Sequence, residues 1–322
     1  MDKILITGVA GFVGFHTAKE LLEKEQQIIG IDNVNNSYDI TLKEYRLSKL
    51  KHFKSFTFYK LDIANLDELK KIFSQNKIEK IIHLAGKAGV RKSLEEPQEY
   101  ISSNIVGTVN LLELSKDYKI SSFINASSSS VYAENEIPFV ENNCINKISS
   151  PYGVTKRATE LFTYSYHLNY KLNIVNFRFF TVYGSIGRPD MSIFKFIKLI
   201  DNNKTIHIFG NGEQTRSFTF VDDIVNGIIK ALELTGFETI NLGNDKRYSL
   251  NYLIKAIEKG INKKAKINYE DINSLDMVDT LPDIQKANEL LNWKPNIDLD
   301  EGILKTVNWH IENRDLVNKI NL

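Results

Sequence analysis

The sequence predicts an α/β protein, with a doubly wound parallel sheet and a smaller α/β unit behind it. Three observations carry that prediction. Strand-like apolar runs alternate with helix-like runs from residue 3 to about residue 178. The first strand ends in a glycine-rich turn that opens directly into a helix. Beyond residue 180 the alternation stops, and Gly184, Gly187 and Pro189 mark a loop followed by short, irregular elements.

In chain order, residues 3–8 (KILITG) read as a short buried strand ending in glycine. Residues 12–24 follow as a helix, with Phe12, Val13, Ala18, Leu21 and Leu22 on one side. Residues 27–31 form a second strand that ends at Asp32. A strand–helix–strand unit of about 30 residues is the βαβ module of a parallel sheet. Further strands are expected at 56–60, 80–84, 122–126 and 173–178, with helices at 65–75, 98–117 and 151–170. The second half is expected to hold a helix at 190–202, strands near 205–209 and 237–242, and helices at 249–261 and 283–292. Residues 1–180 are therefore assigned to one domain, to which the chain returns near 216–235, and residues 181–322 to a smaller one.

Composition narrows the function classes. The chain has 322 residues, 42% of them apolar and 25% charged, with a formal net charge of +1. That apolar share excludes wholesale disorder. Interspersed charges near neutrality argue against nucleic-acid and membrane-surface partners. No apolar run approaches the ~18 residues that span a bilayer. Met1-Asp2-Lys3 leads straight into a strand with no room for a signal peptide. A lone cysteine, Cys144, excludes an internal disulfide framework and a multi-cysteine zinc site. The expectation is a cytoplasmic protein in a reducing compartment, with no metal.

The first turn reads Gly8-Val9-Ala10-Gly11-Phe12-Val13-Gly14. Glycines at this spacing let the backbone approach a pyrophosphate, and the helix N-terminus offers it free N–H groups. Asp32 closes the next strand and is placed to accept bonds from both adenosine ribose hydroxyls. It would repel a 2′-phosphate, so NAD is expected rather than NADP. This is the Rossmann pattern. Asp62-Ile63, after the third strand, is placed to reach the adenine, although Asp62 could equally cap the helix beginning near Asn65.

Tyr152 and Lys156 form a Y-x-x-x-K pair, which shares one face of a helix. A free phenol titrates near pH 10, too high for a base at neutral pH. Positive charge from Lys156 and from an oxidised nicotinamide is expected to favour the phenolate. Upstream, Ser127-Ser128-Ser129-Ser130 ends a strand, where hydroxyls can face the ligand crevice.

Together these features resemble the extended short-chain dehydrogenases/reductases, and the resemblance covers essentially the whole chain. More narrowly, the chain is similar to nucleotide-sugar epimerases, and most of all to UDP-glucuronate 4-epimerases. The segments that carry this are IDNVNNSYDITLKEYRL (31–47), HLAGKAGVRKSLEEP (83–97), SNIVGTVNLLE (103–113), ASSSSVY (126–132), PYGVTKRATE (151–160) and FRFFTVYGSIGRPDMSIFKF (177–196). The GRPDM run is the most specific of them. The resemblance implies a Rossmann NAD-binding domain and a C-terminal nucleotide-sugar domain. It implies that Tyr152 takes the proton of the sugar 4-hydroxyl, that Ser128 bonds the 4-oxygen, and that Lys156 binds the nicotinamide ribose. Hydride leaves C4 for NAD and returns to the other face, giving UDP-galacturonate from UDP-glucuronate by way of a 4-keto sugar. The cofactor contacts it implies are Gly8, Gly11, Phe12, Val13, Gly14, Asp32, Asn33, Asp62, Ile63, Leu84, Ala85, Lys87, Asn104, Tyr152 and Lys156. Lys87 is expected to reach the cofactor phosphate.

A 4-keto uronate is a β-keto acid and loses carbon dioxide if its carboxylate aligns with the carbonyl π system. A bidentate arginine, helped by hydroxyls, would hold that carboxylate out of alignment. Arg188 and Thr181 match the family positions expected to do so, with Ser128, Ser129 and Ser130 adding hydroxyls. Arg216 matches the family's diphosphate ligand and Asp276 a position near the uridine ribose. There are departures too. Gly86 and Lys87 stand where alanine and glutamine are usual, Ala133 replaces a common glycine, and serines replace the acid pair with which related dehydratases eliminate water. His83 is read as a core histidine, and Cys144 is assigned no role. The runner-up activity is C4 epimerisation of another UDP-hexose, and the alternative of another class is a nonenzymatic NAD sensor. The family also implies a homodimer built on helices 98–117 and 151–170.

Overall fold

The computed structural model describes residues 3–132, 135–145, 147–271 and 279–322. The chain opens β1 (Lys3–Thr7), α1 (Phe12–Glu23), β2 (Gln27–Asp32), α2 (Ile40–Leu50), β3 (Phe56–Lys60), α3 (Leu66–Gln75) and β4 (Ile78–His83). Next come α4 (Val90–Glu95), α5 (Pro97–Tyr100), a π-helical turn (Ile101–Val106) and α6 (Gly107–Asp117). Then follow β5 (Ser122–Ser128), α7 (Pro151–Tyr170), β6 (Ile174–Phe179), β7 (Thr181–Tyr183), α8 (Ser192–Asp201) and β8 (Thr205–Phe209). The rest is β9 (Thr215–Arg216), β10 (Phe218–Phe220), α9 (Val221–Lys230), β11 (Phe237–Leu242), β12 (Tyr248–Ser249), α10 (Leu250–Ile261), β13 (Lys266–Glu270), α11 (Gln285–Leu291), α12 (Leu299–Glu312) and α13 (Arg314–Lys319).

Among the described residues the main sheet has seven strands in the order β3-β2-β1-β4-β5-β6-β11. Every pairing in it is parallel. Strand alternation sorts the side chains into two layers. Ile4 and Ile6 of β1 join one buried cluster with Phe15, Ala18 and Leu22 of α1, whereas Leu5 joins Ile72, Leu111 and Phe123 on the other face. Both faces are thus covered by helices, as a doubly wound sheet requires. A further cluster, with Ile193, Ile197, Val225, Leu253 and Ile303, forms the core of the smaller unit. Phe12 of α1 is buried in that cluster, so the first helix joins the two units.

The helix starts follow local chemistry. Ser150 caps α7 by accepting from Gly153 N at 3.1 Å, with Pro151 in the first turn, where its missing N–H costs nothing. Asp39 caps α2 through Thr41 N at 2.9 Å.

Two elements differ from expectation. The strand at 237–242 is not part of the smaller unit. It is the seventh strand of the main sheet and lies parallel to β6, with Ile240 and Leu242 wholly buried. An apolar run announces a strand but not its partner. The helix expected over 98–117 is not uniform but runs as α5, the π-helical turn, where Asn104 is buried, and α6. Among the described residues, no helix is long and apolar enough to cross a membrane.

Candidate active site

The glycine turn joins β1 to α1. Gly8 has a φ of +71°, and its N–H donates to Ile31 O at 2.7 Å. A Cβ on Gly14 would lie 2.1 Å from the Gly8 carbonyl oxygen, so only glycine lets α1 close against the turn. Replacing Gly14 by alanine is expected to cost about 1–3 kcal/mol of stability through overpacking and to strip bound dinucleotide during purification. A thermal melt and the absorbance of retained nucleotide check this, and a variant unchanged in both would contradict it.

Asp32 is buried at the end of β2. Its Oδ2 accepts from Ala10 N at 3.1 Å and its Oδ1 from Val34 N at 2.8 Å. A carboxylate has about four lone-pair sites, so acceptors remain for a ribose diol. Asn33 donates to Asp62 at 2.8 Å, joining the ends of β2 and β3. Asn65, not Asp62, caps α3, through Glu68 N at 3.2 Å. Ala85 N donates to Thr7 Oγ1 at 3.2 Å, and the Ile63 side chain packs where a Cβ on Gly107 would stand. The side chains of Ile63 and Phe12 therefore serve the packing. An open glycine cradle, a helix N-terminus and a buried carboxylate two hydrogen bonds short of saturation fit NAD.

Lys87 departs from expectation. Its ammonium is held by Glu96 at 3.2 Å and by Glu99, because α4 and α5 bring both carboxylates to it. Its contribution to this region is through the backbone. Lys87 N donates to Asn104 Oδ1 at 2.7 Å, and Asn104 Nδ2 donates to Lys87 O at 3.0 Å and to Thr155 Oγ1 at 2.9 Å. Gly86 leaves the space for this, since a Cβ there would stand 2.8 Å from Asn104 Oδ1 and 3.3 Å from Lys156 Nζ.

Tyr152, in the first turn of α7, lies beside Ser128 at the end of β5. Burial pushes the Tyr152 phenol above its ordinary value, while the neighbouring Ser128 hydroxyl and the positive charge of Arg188 pull it down. Lys156 was expected to supply that charge. Its ammonium instead donates to Ala126 O at 2.7 Å, and burial lowers it to about 8 against the opposing pull of Glu160. Spacing puts Tyr152 and Lys156 on one face but does not say where a long side chain ends. The Tyr100 ring meets the Tyr152 ring edge-on, with centroids 6.2 Å apart.

Sequence reasoning missed the buried support beneath this site. Glu160 accepts from Ser127 Oγ at 2.6 Å, from Arg178 Nε and Nη2 at 2.9 Å each, and from Arg157 Nη1 at 2.8 Å. The Arg178 guanidinium lies 4.7 Å from the Tyr132 ring. Both charges stood inside quoted motifs, but pairing across 18 positions leaves no local pattern.

His83 is a core histidine. Thr108 Oγ1 spends its proton on Asn104 O, so it accepts from His83 Nε2 at 2.9 Å, and His83 Nδ1 accepts from Thr7 Oγ1 at 2.7 Å. Burial, with Lys156 nearby, lowers His83 to about 3. His16, bonded to Ser185 O at 2.9 Å, is lowered by burial to about 4. Both bind fewer protons folded than unfolded from pH 6.5 downward. Stability is therefore expected to fall on acidification between pH 6.5 and 4, by about 1.4 kcal/mol per pH unit for each histidine. Urea unfolding at pH 6.5 and pH 5 checks this, and equal stabilities would contradict it.

Ser128 Oγ donates to Ser130 Oγ and accepts from Ser130 N, both at 3.2 Å, which orders the serine turn with Ser129 inside it. Arg188 forms a fork with Asp190, at 3.0 Å from Nε and 2.6 Å from Nη2, and its guanidinium lies 5.8 Å from the Tyr38 ring. Thr181 is partly buried in β7, paired with Phe218 of β10. Arg216 Nη1 donates to Thr215 O at 2.9 Å, and its strand pairs with Tyr248. Asp276 and Ala133 lie outside the described residues. The fold thus brings Tyr152, Ser128 and Arg188 together, with Lys156 behind them.

Residues 5–306 match the family described as GDP-mannose 4,6 dehydratase. A UDP-glucuronate 4-epimerase of Thermodesulfobacterium geofontis is 48% identical over 321 residues, covering 99% of each chain. The crystal structure of UDP-glucuronic acid 4-epimerase from Bacillus cereus, in complex with UDP-glucuronic acid and NAD, is 36% identical. It superposes with a TM-score of 0.90 over 96% of this chain and 99% of that one. A UDP-glucose 4-epimerase of Thermotoga maritima with UDP-glucose is 30% identical, also with a TM-score of 0.90, over 97% of this chain and 99% of that one.

Proposed function

Because the chain belongs to the family described as GDP-mannose 4,6 dehydratase, and matches UDP-glucuronate 4-epimerases of that group along its length, we propose that it interconverts UDP-glucuronate and UDP-galacturonate by inversion at C4. The observation that carries this reading is the placement of the Tyr152 phenol beside Ser128 and under the charge of Arg188. A base and a carboxylate ligand then face one sugar ring. The dehydratase description does not extend to the chemistry, since Ser129 and Ser130 stand where dehydratases carry an acid pair.

Tyr152 takes the proton of the 4-hydroxyl and returns it at the end of the cycle. Ser128 bonds both the phenol and the 4-oxygen and so aligns the transfer. Bound NAD supplies the hydride acceptor that becomes the donor on the return step, and in its oxidised form a positive charge. Lys156, fixed on Ala126 O, is placed to bond the nicotinamide ribose. Two of the five Arg188 donors go to Asp190, so the three remaining ones are available to a substrate carboxylate. Thr181, Ser129 and Ser130 add hydroxyls, and Arg216 takes the diphosphate. Residues 181–322, less the stretch near 216–235 that returns to the first domain and the strand β11, form the nucleotide-sugar unit. The single cysteine supports a cytoplasmic setting.

A homodimer is also proposed. Val154, Leu161, Phe162 and Leu168 on α7, with Ile101 and Val106 on the π-helical turn, are exposed apolar side chains on two neighbouring helices. Leu161→Arg is expected to yield monomers in light scattering, and an unchanged mass would remove this interface.

The function is tested by incubating the purified protein with UDP-glucuronate, without added NAD, and following the sugar by proton NMR. UDP-galacturonate is the expected product. Turnover of UDP-galactose or UDP-N-acetylglucosamine, with UDP-glucuronate untouched even after NAD is added, would overturn the uronate assignment.

A further inference from the structure

We propose that Arg46 is a positioning residue that ties the loop carrying Arg188 to the cofactor's glycine turn. The inference rests on the reading of Arg188 as the ligand of the substrate carboxylate. Arg46 lies on α2 with no exposed surface. Its Nη1 donates to Ala10 O, inside the glycine turn, at 3.0 Å. Its Nε and Nη2 donate to Ile186 O at 3.2 and 2.7 Å, and Nη2 also reaches Gly187 O at 3.1 Å. Among the described residues the one remaining hydrogen-bond partner is the Tyr38 hydroxyl, 2.7 Å from Nη1. Among the described residues no carboxylate is paired with it, so the planar fork is solvated by backbone carbonyls from two segments separated by more than 170 positions.

Two further observations give this link a purpose. Ile186 has a φ of +57°, a conformation that a β-branched residue rarely adopts. Its carbonyl is the one Arg46 holds twice. The anchored Gly187 carbonyl belongs to the peptide bond that leads into Arg188. Tyr38 closes the circuit, because its ring faces both the Arg46 guanidinium at 5.7 Å and the Arg188 guanidinium at 5.8 Å. The position of Arg188 relative to the glycine turn is thus set through Arg46 and Tyr38. Arg46 itself touches neither substrate nor reacting atoms.

The consequence is chemical. In a 4-keto uronate the C5–C6 bond breaks when the carboxylate aligns with the C4 carbonyl. The electron pair of that bond passes into the carbonyl as an enolate, carbon dioxide leaves, and C5 then takes a proton, which leaves a UDP-4-ketopentose. Return of the hydride first taken from C4 would reduce that ketone to a UDP-pentose. Loosening Arg188 lets decarboxylation precede the return step, so the sugar product shifts from UDP-galacturonate toward a UDP-pentose.

The test compares wild type, Arg188→Lys, Arg46→Lys and Tyr38→Phe. Lysine at 46 keeps the charge but gathers its donors on one nitrogen, which cannot span both segments. For Arg46→Lys, kcat with UDP-glucuronate is expected to fall about 10²-fold, as for a misplaced positioning group, with UDP-pentose appearing in the NMR spectrum. Its NAD Kd by calorimetry is expected to rise about tenfold, since the glycine turn loses its anchor. A folded Arg46→Lys protein with wild-type NAD affinity and no pentose would overturn the proposal. If that variant fails to fold, Tyr38→Phe, which removes one acceptor and keeps the ring, should still give pentose, and its absence would overturn the proposal as well. Should wild type leave UDP-glucuronate unchanged, the functional reading fails, while the NAD affinity of Arg46→Lys still decides the link to the glycine turn.

Discussion

Tyr152→Phe is expected to reduce kcat for UDP-glucuronate by about 10²–10⁴-fold, the range that a positioned acid–base group supplies, while leaving the Kd for the substrate within a few-fold. The ring keeps its edge-on contact with Tyr100, so the fold loses one hydroxyl and little else. Ser128 keeps its two bonds with Ser130. The pH profile of the wild type carries the same information. Burial raises the phenol, so its protonated form prevails at neutral pH until positive charge is brought to it. The wild-type rate should therefore climb with pH on its acid limb, and that limb should vanish from the residual activity of Tyr152→Phe. Retention of full activity by the variant would remove Tyr152 from the mechanism.

The second large effect is expected at Arg188. Its guanidinium is held by the Asp190 fork and lies by the Tyr38 ring, and the backbone leading into it is held by Arg46. Arg188→Ala removes a charge-assisted ligand worth about 1.5–3 kcal/mol, so UDP-glucuronate should bind roughly 10- to 10²-fold more weakly. Product identity should change as well, because the uronate that still turns over has nothing to hold its carboxylate out of alignment. UDP-pentose is then the expected product. Neutral UDP-hexoses offer no carboxylate, so their binding should change little. A uniform loss of affinity for charged and neutral sugars would show that Arg188 acts on the diphosphate or the loop rather than on the uronate.

The two variants separate parts of the site that differ in how visible they were in the sequence. Tyr152 and Lys156 are four residues apart on one helix, and the capping Ser150 and Pro151 fix where that helix starts. The glycine turn and Asp32 lie within one βαβ unit, where strand and helix periods alone bring them together. Arg188 stood in a specific motif, so it too was named as a candidate. Its partners were not, since Tyr38, just before α2, and Arg46, on that helix, whose apolar stripe is weak, lie some 140 positions or more upstream.

The sequence by itself therefore determined the doubly wound sheet, the dinucleotide cradle and NAD as the cofactor, and it named the candidates for meeting a uronate. These rest on patterns that repeat within a few residues, where covalent geometry leaves few choices. Only the tertiary structure decided that residues 237–242 are the seventh strand, that Lys87 pairs with Glu96 and Glu99, and that Lys156 bonds Ala126 O. It alone decided that Arg46 joins the glycine turn to the Arg188 loop. Each of these depends on where a long side chain or an edge strand ends up once distant segments pack. That is settled by satisfying buried donors and charges across the whole molecule, a condition with no period along the chain.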